Sequence, residues 1–337
     1  MMPHGPAAQT AVARQIAGSS AYLAGGNHGA LQAWISDELG HAPPAAVAAL
    51  AAELARRAGA TTVAVLYYGS ALRAESLEGV LDFYVLLDDV GAWPGSTMAH
   101  LANRALPPNV GYLQFVHQDQ TLRAKYAVMS ARQFEQRTQR ASLDTTIWAR
   151  FCQPALCVWT RSTADRAATV ARICAAVTTA ASWAADLGPE AAPAADYWRA
   201  LFAHTYAAEL RVERTGRAQD IVGKCPDRYT ALLPLAWQAA QLPYTAADDG
   251  TLMATVTAAQ RQRAKRSWAW RQRLGRPLNM LRLLKAAFTF EGALDYVAWK
   301  IERHRGVRIE VSDWQRRFPL LAAPGIYWQL RRRGILR

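Results

Sequence analysis

The chain has 337 residues, 51% of them hydrophobic, with four cysteines and a formal net charge of +13. That is enough apolar content for a large core and two domains, which excludes a disordered chain. Cys152, Cys157, Cys174 and Cys225 show no paired CxxC spacing, which speaks against a zinc site or a disulfide framework and for reduced thiols.

In chain order, residues 1–26 are rich in Ala, Gly and Ser and are expected to be poorly ordered. The first fifteen residues lack a clear apolar signal core. Leu31–Leu39 and Pro44–Ala58 read as helices, the second entered through a Pro-Pro pair. Val63–Tyr68 is a short apolar run rich in β-branched and aromatic residues, as a buried strand is. Gly69-Ser70 breaks it, a short helix follows, and Val80–Leu87 is a second strand with one carboxylate, Asp82, inside it. Trp93–Ala105 reads as a helix ended before Pro107-Pro108. Val110–His117 and Thr121–Met129 read as strands in a hairpin. Ser130 opens a helix to about Gln139, Asp144–Phe151 is a short helix stopped by Pro154, and Leu156–Trp159 is a last strand. To this point the pattern is mixed α/β with a sheet of four or five strands.

After Ser162 the chain reads as helical: Thr163–Leu187, Ala194–Thr215, Pro226–Gln241, Leu252–Leu274, Leu278–Phe290, Gly292–His304 and Ile326–Arg333. No run of about eighteen apolar residues occurs, so no spanning helix is expected. Charge is segregated. Thr251 to Arg337 holds nineteen Lys/Arg against five Asp/Glu, and the rest of the chain is close to neutral. A segregated basic surface suggests an anionic partner. Because these basic residues are interleaved with Trp, Leu and Ile in long helices, they suit a membrane interface better than nucleic acid.

The stretch Thr61–Asp89 carries the chemistry. An acid in a buried strand is costly unless paired, hydrogen-bonded or bound to metal. A Gly-Ser turn opening a helix offers backbone N–H groups and a hydroxyl to an anion. Eleven residues, 71–81, separate Ser70 from Asp82, a spacing that suits a phosphate cradle facing a metal-binding acid. The other reading is an ordinary βαβ unit with a chance turn. The DNA-polymerase-β-like nucleotidyltransferases have a second acid two positions after the first, and here that position is Tyr84.

Several short segments resemble the mitochondrial-type phosphatidate cytidylyltransferases, the translocator-assembly-and-maintenance family, which has bacterial members. Tyr68-Gly69-Ser70 is similar to the family's Tyr-Gly-Ser-Gly turn, with Ala71 in place of the second glycine. Leu81-Asp82-Phe83 resembles its Ile/Val-Asp-Phe strand, in which a single aspartate stands where other nucleotidyltransferases have two. Lys125-Tyr126-Ala127-Val128 resembles its Lys-Tyr-Gly-Val strand. Trp148-Ala149-Arg150-Phe151-Cys152-Gln153-Pro154 resembles its Ala-Gly-Arg-Leu-x-Lys-Pro segment, with Gln153 where lysine is usual. Glu209-Leu210-Arg211-Val212 sits where the family has Asp-x-Arg-Met, and Lys285 matches a lysine of its C-terminal region.

The resemblance implies an α/β nucleotidyltransferase (polymerase-β-like) domain with a helical C-terminal domain. The divisions expected are a flexible 1–26, a nucleotidyltransferase domain at 27–160, a helical domain at 161–274 and a basic amphipathic region at 275–337. It implies CTP and phosphatidate as substrates, CDP-diacylglycerol and pyrophosphate as products, and Mg2+ as cofactor. An anionic membrane surface is the expected partner, reached peripherally from the cytoplasmic inner face, and no nucleic acid is expected. Asp82 and Glu209 become the implied metal ligands, and Asp82, Glu209 and Lys285 the catalytic set. Tyr68, Gly69, Ser70, Lys125, Arg150 and Arg211 become nucleotide contacts. Read without the resemblance, Glu209 with Glu213 fits a solvated helix face, and Lys125, Arg150 and Lys285 fit surface charge. The rival functions are a nucleotidyltransferase acting on RNA and a non-catalytic membrane-associated scaffold of the same fold.

Overall fold

The computed structural model of the chain describes residues 28–74, 77–208, 217–306 and 310–317, with 325 and 328. The expected flexible stretch 1–26, Glu209, Arg211 and, apart from Trp328, the expected helix at 326–333 lie outside the described residues. The fold is α/β, with a mixed five-stranded sheet and a large helical region. The chain divides into two compact units whose segments interleave along the sequence. Among the described residues, one lies within 43–131, 158–161 and 280–337, and the other within 1–42, 132–157 and 162–279.

The first unit is built on the sheet. Its strands are β1 (Thr62–Tyr68), β2 (Leu81–Leu87), β3 (Asn109–His117), β4 (Gln120–Ser130) and the end of β5 (Ala155–Thr160), in the spatial order β3-β4-β2-β1-β5. β1 and β2 are antiparallel, β2 and β4 parallel, and β3 and β4 antiparallel. β2 lies at the centre and is buried from Phe83 to Leu87, which accounts for its unbroken apolar run. The β3–β4 turn is Gln118-Asp119, both with positive φ (47° and 62°), as a two-residue hairpin turn twisted with its strands requires.

One face of this sheet is covered by helix Ala45–Ala58, which buries Val47, Leu50, Ala51 and Leu54. The Thr62 hydroxyl donates to the Ala55 carbonyl at 2.8 Å, and the Arg57 guanidinium lies over the Tyr126 ring. The Tyr126 hydroxyl donates to Glu291 Oε2 at 2.6 Å. Gly111, opposite Tyr126 on β3, is required there, because a Cβ would lie 2.3 Å from the phenol ring.

The second unit is helical and centred on Thr163–Leu187, whose N-cap Ser162 accepts from the Asp165 N–H. Trp148, Trp198 and Trp237 are fully buried. Two of their indoles are satisfied by carbonyls: Trp198 Nε1 donates to Tyr229 O at 3.0 Å and Trp237 Nε1 to Ala181 O at 2.9 Å. The Arg228 guanidinium donates to both oxygens of Glu38 and to the Cys152 carbonyl.

Three helix expectations change. Leu252–Leu274 does not start as a helix. Thr251–Ala254 is the central strand (β8) of a small sheet with β6 (Ala192–Pro193) and β7 (Tyr244–Ala246), and a helix begins only at Ala258. Four residues are too few for periodicity to separate strand from helix. That helix then runs unbroken to Thr289 through Gly275 and Pro277, where the sequence suggested a break. Gly275 is held by close packing, since a Cβ there would lie 2.5 Å from the Ala208 carbonyl. The expected helix at Trp93–Ala105 begins later, at Thr97, capped by Ser96. Among the described residues no helix is long and apolar enough to cross a membrane.

Candidate functional site

The site is built where β1 ends. Tyr68 is its last residue, Gly69 turns with φ +99°, and Ser70 opens the five-residue helix Ser70–Ala74. The chain returns as β2, in register so that Tyr68 faces Asp82. A Cβ placed on Gly69 would lie 2.7 Å from Asp82 Oδ2 and 3.2 Å from Asp82 Cβ. The turn's backbone and the carboxylate are therefore in direct contact. Glycine serves twice here, for the positive φ and for the close approach.

Asp82 is in register with Lys125 on β4, and Lys125 with Tyr112 on β3. Residues directly opposite across a ladder share a face. Tyr112, Lys125, Asp82 and Tyr68 thus form one row across four strands. Tyr84, two residues beyond Asp82, lies on the same face, its ring 5.4 Å from that of Tyr68. The sequence suggested an acid inside a buried strand. The structure puts Asp82 at the second position of β2, half-buried, beside an exposed Ser70. The desolvation cost is correspondingly lower than for an acid in the sheet interior. Its charge is felt nearby: the Tyr67 phenol is pushed up to about 12, first by burial and then by Asp82.

Lys285 is not brought to this row. Its ammonium donates to the carbonyls of Leu106 (2.6 Å) and Pro108 (2.5 Å) and to Asn109 Oδ1 (3.0 Å). Three acceptors match the three N–H groups of an ammonium. Asn109 pairs with Val128, three residues along β4 from Lys125, about 10 Å at strand rise. Arg150 sits half-exposed on the short helix Thr146–Phe151 of the helical unit. Of the residues singled out from sequence, the structure thus gathers Tyr68, Gly69, Ser70, Asp82 and Lys125. Tyr112 joins them without having been singled out. The alternation of β3 marks which of its residues share a face, but only the pairing with β4 says which neighbours they meet.

Among the described residues no three or more His, Cys, Asp and Glu side chains gather as a metal-binding group. A carboxylate beside a turn of backbone N–H groups and a hydroxyl fits Mg2+, which keeps waters and takes one or two carboxylates plus substrate phosphate oxygens. It does not fit an ion caged by protein alone. Asp82 is the residue that would hold it.

The same unit carries an unusual helix face. In the last turns of helix Ala258–Thr289, Met280, Leu281, Leu283, Leu284 and Phe288 are 55–64% exposed. Arg282, Lys285 and Ala286 are the less exposed residues there. At 100° per residue the five apolar side chains fall on one half of the helix. Its polarity is the reverse of that of an ordinary surface helix. Neither the family models nor the curated proteins compared with this chain give a match.

Proposed function

We propose that this chain is a polymerase-β-like nucleotidyltransferase that makes CDP-diacylglycerol and pyrophosphate from CTP and phosphatidate at an anionic membrane surface. The observation that carries the reading is the contact of Gly69 with Asp82 at the end of β1, flanked by Ser70 on one side and Lys125 on the other. In this reading the Gly69-Ser70 backbone and hydroxyl receive the triphosphate, and Lys125 offsets its charge from the adjacent strand. Asp82 holds Mg2+, which when bound neutralises phosphate charge and polarises the α-phosphorus.

An oxygen of the phosphatidate phosphate attacks the α-phosphorus of CTP. A P–O–P bond forms, the bond from the α-phosphorus to the α–β bridging oxygen breaks, and its electron pair leaves with pyrophosphate. The attacking oxygen is already ionised near neutral pH, as a phosphomonoester with a second pKa of about 6 is, so no general base is required. In this reading Lys285 holds the Leu106–Asn109 segment, to whose oxygens its ammonium donates.

The exposed Met280–Phe288 face supports peripheral attachment. Apolar side chains enter the headgroup boundary, while the basic excess between Thr251 and Arg337 is drawn to anionic lipid by about 1 kcal/mol per residue near the surface. The test is incubation of purified protein with α-labelled CTP, Mg2+ and phosphatidate-containing vesicles, beside an RNA acceptor. Label in the lipid fraction that is lost in Asp82→Asn is expected. Label in RNA overturns the substrate assignment, and no label in either overturns the activity.

A further inference from the structure

The face that carries Asp82 continues past the start of β2. Arg123 precedes Lys125 by two residues on β4, so the two side chains share that face about 7 Å apart. β2 begins opposite Ala124, which puts Arg123 at the end of the sheet where the Gly69-Ser70 turn lies. Helix Ala293–Arg305 packs against this end, with the Tyr296 ring 5.5 Å from that of Tyr112. From this helix Trp299 presents its indole to two guanidiniums, Arg123 at 5.6 Å and Arg303 at 5.4 Å. Arg303 also reaches the loop that leads into β2: a Cβ on Gly79 would lie 2.8 Å from its Nη1.

Among the described residues neither arginine is in an ion pair, and Arg123 Nε is buried without an acceptor. Two like charges thus lie about one ring, at 5.6 and 5.4 Å from its centroid. A dianion with three acceptor oxygens offsets such charges and matches the fork geometry of guanidinium. Stacking on the indole holds the forks in place before a ligand arrives.

We propose that Arg123 and Arg303, set by Trp299, form a subsite for a phosphomonoester, and that this is where the acceptor's phosphate waits beside the Asp82 row. The assignment to the acceptor rests on the transferase reading; the binding of a phosphomonoester does not. The subsite lies on the β4 side of Asp82, whereas the Gly69-Ser70 turn lies on the β1 side. Two phosphate-bearing ligands therefore approach the carboxylate from opposite flanks.

The test is calorimetric titration of the full chain with dihexanoyl phosphatidate below its micellar concentration, with glycerol 3-phosphate, with inorganic phosphate, and separately with CTP. In Arg123→Gln/Arg303→Gln, phosphatidate binding is expected to weaken at least tenfold with CTP affinity unchanged. The charge-matched Arg132→Gln/Lys224→Gln, at exposed side chains outside the basic segment, is expected to bind both as the wild type does. Glycerol 3-phosphate and inorganic phosphate are expected to compete for the same site more weakly, which separates the shared phosphate chemistry from the lipid's glycerol and chains. Arg303→Gln alone, at an exposed side chain, guards against misfolding and is expected to show a several-fold loss. Loss of CTP affinity instead, or unchanged phosphatidate affinity in the double variant, overturns the subsite. Arginine-dependent phosphatidate binding in a chain that transfers no CMP supports the subsite and overturns only the transferase reading.

Discussion

Gly69 and Asp82 are fitted to each other: the glycine's missing side chain is the space that the aspartate's carboxylate occupies, 2.7 Å from where a Cβ would be. A comparison with Gly59 isolates this contact. Both glycines have positive φ, but a Cβ on Gly59 would meet nothing within 4 Å. Gly59→Ala is expected to cost about 1–2 kcal/mol of stability from backbone strain alone and to leave turnover intact. Gly69→Ala is expected to carry the same strain and also to push the carboxylate aside, so that turnover falls far more than the folded fraction. Urea melts and turnover measured on both variants check this. Equal turnover in the two would mean that the contact has no part in the chemistry.

Asp82→Asn keeps volume and removes charge. Because Asp82 is half-buried at the mouth of the sheet, the fold is expected to persist, with a melting temperature close to that of the wild type. Transfer is expected to be lost, as removal of a metal's carboxylate ligand predicts. Near-normal turnover at saturating Mg2+ would overturn the site.

Lys285→Met is expected to act on stability. Hydrogen bonds to a charged group contribute about 1.5–3 kcal/mol each, and the carbonyls of Leu106 and Pro108 would lose their donor. An overall loss of roughly 2–4 kcal/mol is expected, with the Michaelis constants for CTP and acceptor unchanged at low temperature. A stable variant with collapsed turnover would return Lys285 to the catalytic set.

In the helical unit, Glu38→Met strips one partner from the buried Arg228, whose pKa burial lowers and Glu38 raises, with a net rise. Removing one member of a buried pair costs about 3–5 kcal/mol. Glu38→Met/Arg228→Met is expected to recover part of that loss. Denaturation of the two variants and of Arg228→Met completes the cycle, and additive losses would show the pair to be uncoupled.

Alkaline pH is expected to weaken the fold in steps. Burial pushes Cys157 up to about 11 and Cys152 to about 12, and Tyr67 to about 12 with help from Asp82. Each group is protonated in the folded chain above the pH at which it ionises when unfolded. Their contribution is complete below about pH 8.5 for the thiols and about pH 10 for the phenol, and it is lost as pH climbs through the folded values. The urea midpoint is therefore expected to fall from about pH 9 upward, and less steeply above pH 10 in Tyr67→Phe. A flat midpoint would show that these groups are accessible.

Much of the sheet unit is legible in the sequence because its signals are local. The apolar run Val63–Tyr68, the Gly69-Ser70 break and the lone acid of the next strand fall within about twenty residues, and period-two alternation marks the hairpin. The long helix after Ser162 is equally local, with a serine cap and unbroken helical spacing. The short β8 and the passage of a helix through Gly275 and Pro277 depend on what those residues pack against, and neither leaves a local trace.

The sequence by itself determined that a flexible turn and a strand acid stand together, because a short connection between two strands leaves them little choice of partner. Only the tertiary structure decided what joins them. β4 enters beside β2 in parallel after a long crossover, and that register sets Lys125 next to Asp82 and brings Arg123 to the same face. It also decided that Lys285, a plausible phosphate ligand on paper, spends its charge on three chain oxygens. The physical reason is that pairing between distant strands is chosen by burial summed over the whole sheet, and no single segment carries that sum.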